Sequence, residues 1–134
     1  MRNSIILLLL CYSLSISGAT YYIDPSGNDS NNGSSGSPWK TLAYACSKAT
    51  SSGDVIHVNA GTYTETAQSM LAVGVSIEGA GVNSVIQSHV GGSSFTIYLY
   101  SSSQGTNGNQ HISNIKMDGS VLTAYGAIKI DRSK

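Results

Sequence analysis

Residues 53–61 read Gly-Asp-Val-Ile-His-Val-Asn-Ala-Gly, a short apolar–x–apolar run closed on both sides by glycine. Period-two alternation bounded by turn residues predicts a short half-buried strand. The same phrase returns along the chain: Ile56-His57-Val58-Asn59, Val75-Ser76-Ile77-Glu78, Ile97-Tyr98-Leu99-Tyr100, Ile115-Lys116-Met117-Asp118 and Ile128-Lys129-Ile130-Asp131. Its last residues stand at 59, 78, 100, 118 and 131, so the steps are 19, 22, 18 and 13. Further short strands such as Ser84–Gln87 fall between. A sandwich also supplies frequent short strands, but it does not explain one strand type returning about every twenty residues. The pattern predicts an all-β solenoid, a coil of short strands stacked on themselves.

Upstream, Tyr21–Ile23 reads as a first strand, followed by a polar loop, Asp24–Ser37, rich in Gly, Asn and Ser. These residues cap their own backbone or accept left-handed conformations, so the loop is expected at the surface. Thr41–Ala49 is the one good helix candidate. It sets Leu42, Ala45, Cys46 and Ala49 at i, i+3, i+4 and i+7. Pro38 precedes it and Ser51-Ser52-Gly53 closes it.

The first nineteen residues read as a secretory leader: Arg2, the apolar run Ile5–Leu10, and Ser17-Gly18-Ala19 as a small-residue cleavage site. Cutting after Ala19 would leave 134 − 19 = 115 residues. The run is too short and too interrupted by serines to span a bilayer, which takes roughly 20 apolar residues. The organisation expected is a leader over 1–19, a strand, loop and helix over 20–53, and strand coils over 54–134. Seven basic and seven acidic residues cancel. That balance argues against a nucleic-acid binder working by phosphate neutralisation. The chain is 40% hydrophobic, a foldable composition. Cys11 lies in the leader and leaves Cys46 alone, so no disulfide framework is expected.

Tyr21–Gly33, Pro38–Ala49 and Ser52–Glu65 resemble the N-terminal part of secreted right-handed parallel β-helix proteins, the pectate-lyase-like superfamily. GVSIEGAGVNSVIQS and HISNIKMDG match only as loose rungs. The resemblance implies that Thr41–Ala49 is a cap helix over the first coil. It also implies that further coils follow, so the chain reads as an N-terminal fragment of a longer protein. Polysaccharide lyases and hydrolases of this superfamily work on the outer sheet face. Their acidic groups or calcium hold the sugar, and a Lys or Arg abstracts a proton. The superfamily's enzyme signatures are missing here: there is no Asn-Thr-Asp, no Asp-Asp and no His-Gly, and Arg132 is the only arginine after the leader.

If the five runs stack in register, their outward residues form one column: His57, Ser76, Tyr98, Lys116 and Lys129, flanked by Asn59, Glu78, Tyr100, Asp118 and Asp131. Tyr98, Tyr100, Lys116, Asp118 and Lys129 are the substrate-binding candidates, the tyrosines for stacking on sugars. The same Lys and Asp residues are also what any solvated strand face carries. Asp24, Asn28, Asp29 and Asn31 make an oxygen-rich loop that could hold calcium, which takes six to eight oxygens. Side-chain-capped turns explain the loop equally well. His57, His89 and His111 share no metal-ligand spacing. The expected function is a secreted or cell-surface carbohydrate-active β-helix protein of lyase or glycoside-hydrolase type, without recognisable catalytic residues in this stretch. The alternatives are a non-catalytic glycan-binding or adhesive protein and a structural stalk. The expected partner is a polysaccharide or glycan.

Overall fold

The computed structural model describes residues 18–101, 108–119 and 125–132. Of the leader candidate over 1–19, residues 1–17 lie outside them. Ten strands and one helix follow in order: β1 Thr20–Ile23, α1 Leu42–Lys48, β2 Val55–Val58, β3 Gly61–Glu65, β4 Ser69–Leu71, β5 Ser76–Gly79, β6 Ser84–Ser88, β7 Phe95–Ser101, β8 His111–Ser113, β9 Lys116–Asp118 and β10 Gly126–Arg132.

The strands form three sheets, ordered β1-β2-β5-β8, β3-β6-β9 and β4-β7-β10, and every pairing is parallel. From β2 onward the chain visits the three sheets in a fixed order and does so three times. This mostly-β arrangement with one short helix is compatible with a β-helix. Register partners lie 76 − 55 = 21, 84 − 61 = 23 and 97 − 69 = 28 residues apart between the first and second circuits. Between the second and third the steps are 111 − 76 = 35, 116 − 85 = 31 and 128 − 97 = 31. The single twenty-residue repeat is therefore corrected. The five matching runs fall in different sheets: Val55–Val58 and Ser76–Gly79 in the first, Lys116–Asp118 in the second, Phe95–Ser101 and Gly126–Arg132 in the third. The five runs carry the same apolar–x–apolar phrase because alternation records only which side of a strand faces inward, whichever sheet the strand joins.

The interior consists of inward residues stacked by register. Ile56 and Ile77 are wholly buried and lead to half-buried Ile112; Tyr63 and Ile86 lead to half-buried Met117. In the third sheet Ile97 is buried, but its partner Ile128 is 42% exposed. Ile130, beside Leu99, is 72% exposed because β10 is an edge strand.

The opposite end is covered. α1 packs against β1, β3 and β4, the first strand of each sheet. Leu42, Ala45 and Cys46 enter the core, as their helical spacing requires. Covering these edges removes apolar surface from water and blocks further strand pairing. Trp39 completes the cover, stacking on Tyr21 with centroids 5.0 Å apart and meeting Tyr44 edge-on at 5.5 Å. Its indole N–H donates to the Asn31 carbonyl at 2.7 Å. Gly33, at φ +76°, lies so close against the indole that no Cβ fits there.

Buried Glu65 of β3 holds the start of α1. Its Oε1 accepts the Leu42 N–H at 2.8 Å and its Oε2 the Ala43 N–H at 3.2 Å. The N-cap hydroxyl of Thr41 accepts the Tyr44 N–H at 3.2 Å. Helix starts carry four N–H groups without intrahelical partners, and these contacts satisfy three of them.

Candidate functional site

The outward candidates divide between two faces. Tyr98 and Tyr100 of β7 lie in register beside Lys129 and Asp131 of β10. Lys116 and Asp118 stand on β9 in the second sheet, opposite Val85 and Gln87 of β6. The single column expected from the sequence is therefore divided among all three sheets. His57 and Ser76 occupy the first sheet, where His57 lies between Tyr22 and Glu78 in register and its ring is 5.3 Å from that of Tyr22.

The Tyr98 face is the most closely knit. The Tyr98 hydroxyl donates to Asp131 Oδ2 at 2.9 Å, and Lys129 Nζ sits 2.9 Å from the same oxygen. The ammonium also lies over two rings, 5.2 Å from the Tyr98 centroid and 5.7 Å from that of Phe95. Tyr98 and Tyr100 are 5.8 Å apart and tilted by 44°. Met70 of β4 extends the same column on the other side of Tyr98 and is half exposed. The hydrogen bond to Asp131 raises both the Tyr98 phenol and the Lys129 ammonium above their ordinary pKa. Lys129 thus stays protonated, which suits it to hold an anion or a hydroxyl and unsuits it as a general base. Sequence reading paired Lys129 with Asp131 only as neighbours on one strand. It missed Phe95, whose part depends on parallel pairing between β7 and β10.

The second face carries Thr62, Val85 and Lys116 in one register column and Thr64, Gln87 and Asp118 in the next. At its upper end a cleft of about 310 Å³ opens between Pro25, Lys40, Thr62 and Thr64. Glu65 borders the cleft, but its carboxylate is committed to the helix start.

The loop considered for calcium has its oxygens in internal bonds. Asp24 Oδ1 accepts the Ser26 N–H and hydroxyl at 2.9 and 2.6 Å, and its Oδ2 accepts Asn59 Nδ2 at 3.0 Å. These bonds, first the Ser26 hydroxyl, lower the Asp24 pKa. Asn28 Oδ1 accepts the Ser30 N–H. Asp29 accepts the Lys40 and Thr41 N–H groups on Oδ1 and the Thr41 hydroxyl on Oδ2, all within 3.0 Å. Asn31 donates its amide to the Pro38 carbonyl. These bonds are those of side-chain-capped turns. Among the described residues no three His, Cys, Asp or Glu side chains converge as a metal site.

Three parallel sheets beneath one covering helix, with a tyrosine-rich polar face, describe a parallel-β-helix-like protein. Residues 25–129 match the family described as "Protein of unknown function (DUF1565)", a parallel-β-helix-like family, and the chain belongs to it. It is also similar to "Uncharacterized protein YwoF" of Bacillus subtilis (strain 168), 42% identical over 50 residues. That match spans 37% of this chain and 10% of the relative's length. No solved structure matches. No helix among the described residues is long and apolar enough to cross a membrane.

Proposed function

We propose that this chain is the N-terminal part of an exported right-handed parallel β-helix protein that binds glycans on the face built by β7 and β10. The observation that carries the reading is the array of Tyr98, Tyr100, Lys129 and Asp131. Two tilted rings lie beside an ammonium on adjacent strands of a parallel sheet, and the Tyr98 hydroxyl and Lys129 ammonium share one carboxylate oxygen of Asp131. Sugar rings present apolar C–H faces that pack on aromatic rings, and equatorial hydroxyls that bond to charged groups. Rungs spaced about 4.8 Å apart repeat on the scale of a sugar unit. Right-handedness is the general preference of parallel strand crossovers. Export rests on the leader-like first nineteen residues.

A polysaccharide lyase or hydrolase activity would belong to the longer protein, whose catalytic groups would stand on other coils. The test is affinity electrophoresis of the full chain through gels containing neutral and uronic-acid polysaccharides. We expect retardation by at least one of them, lost in the Tyr98→Ala/Tyr100→Ala double variant while its circular dichroism is unchanged. Equal mobility of wild type and variant in every gel would overturn the proposal.

A further inference from the structure

We propose that the face built by β7 and β10 selects neutral polysaccharides over uronic-acid ones, and that Asp131 sets the choice. The inference rests on the glycan-binding reading above and names the class of sugar that the same face takes. Six side chains make the face: Met70, Phe95, Tyr98, Tyr100, Lys129 and Asp131. The charged residues among them are Lys129 and Asp131, and their charges cancel. Lys129 Nζ lies 2.9 Å from Asp131 Oδ2, with the two side chains 41% and 38% exposed. An arriving ligand therefore meets both charges together, and the six residues present no net charge to draw an anion.

The two classes of sugar differ at one group. A hydroxyl both donates and accepts hydrogen bonds, whereas an ionised carboxylate only accepts. One hydroxyl of a neutral sugar can accept from the Lys129 ammonium and donate to the Asp131 carboxylate, adding to the pair without breaking it. A uronate carboxylate can bond to the ammonium alone. There it meets the Asp131 carboxylate on the same ammonium, and like charges repel. The Tyr98 hydroxyl does not stand in as a donor, because it directs its proton to Asp131 Oδ2 at 2.9 Å. The remaining surface is apolar: Met70 is half exposed, and the Tyr98 and Tyr100 rings lie 5.8 Å apart. Rings pack on the C–H face of a sugar whether or not it carries a carboxylate. The aromatic residues thus supply affinity, and Asp131 supplies the selection.

The test is affinity electrophoresis of the full chain, with mobility referred to a polymer-free gel. Hydroxyethyl cellulose and galactomannan are the neutral polymers, polygalacturonate and alginate the uronic ones. Stronger retardation is expected in at least one neutral gel than in either uronic gel. Asp131→Asn keeps an acceptor for Tyr98 but leaves Lys129 uncompensated, so it should gain retardation by polygalacturonate with its circular dichroism unchanged. Wild-type retardation as strong in a uronic gel as in the neutral ones, but lost in Tyr98→Ala/Tyr100→Ala, would overturn the selection and leave the glycan-binding face standing. A folded Asp131→Asn variant that gains nothing in polygalacturonate would overturn the part given to Asp131. Retardation that survives in the double tyrosine variant, or none in any gel, would overturn the glycan-binding reading as well.

Discussion

Removing the Glu65 carboxylate should release the start of α1 from the first circuit. Glu65 is 1% exposed and accepts the Leu42 and Ala43 N–H groups at 2.8 and 3.2 Å. Hydrogen bonds to a charged group contribute roughly 1.5–3 kcal/mol each, the longer bond at the low end, and the buried donors left behind cost a similar amount. Relief of the carboxylate's desolvation offsets part of this. The expected loss for Glu65→Ala is therefore roughly 2–4 kcal/mol. At about 4 °C per kcal/mol for a domain of this size, the melting midpoint should fall by roughly 8–16 °C. Glu65→Gln keeps one acceptor but turns an amide donor toward a backbone N–H, so roughly 1–2 kcal/mol should be lost. Exposed Glu78 on β5 is the control, and its alanine variant should stay within about 0.5 kcal/mol.

Acidity separates charge from geometry. Burial raises the Glu65 pKa above its ordinary value, outweighing the two N–H groups that lower it. The folded chain then holds this proton more tightly than the unfolded chain. Its contribution to stability grows as pH falls through the folded value and is complete below the ordinary carboxylate range. Denaturant melts followed by circular dichroism should show wild type gaining on Glu65→Gln as pH falls from neutrality toward about 4, below the ordinary glutamate value. An alanine variant within about 1 kcal/mol of wild type, or a gap that closes on acidification, would refute this reasoning.

Leu42, wholly buried under the covering helix, should not tolerate a charge; Leu42→Asp is expected to cost about 4 kcal/mol or more in denaturant melts. Burial, followed by the Glu65 charge, pushes the Cys46 thiol up to about 12. Alkylation at pH 8 should therefore be slow in the native protein and fast in denaturant, as intact mass spectrometry would read. Asp29→Ala, which removes the acceptor for Lys40 and Thr41, should lower stability by roughly 1–2 kcal/mol. A chelator should leave the wild-type melting midpoint unchanged, and a rise of several degrees on adding calcium would show that the loop binds the ion.

The helix was legible because its evidence is local. Leu42, Ala45 and Cys46 mark one face, and Thr41 is an N-cap residue by type as well as by position. Most strands were legible too, since alternation survives in four residues. Gly61–Glu65, Ser69–Leu71 and His111–Ser113 escaped notice. Gly61-Thr62-Tyr63-Thr64-Glu65 places a carboxylate at an inward position, which argues against a strand until the helix start it binds is in place. Ser69-Met70-Leu71 buries its serine and exposes its methionine, the reverse of what polarity suggests.

By itself, the sequence determined that this chain is built of short strands with one helix, that alternate residues are buried, and that the loop over 24–37 lies at the surface. Those properties depend on residues a few positions apart, where backbone geometry leaves little choice. Only the tertiary structure decided which strands are neighbours. Circuits of 21 to 35 residues place Tyr98 beside Lys129 and move Lys116 to another face. Alternation records only which side of a strand faces inward, and in three sheets around one interior that record is the same for all of them. The length of the connecting loops sets the register, and with it the residues that meet.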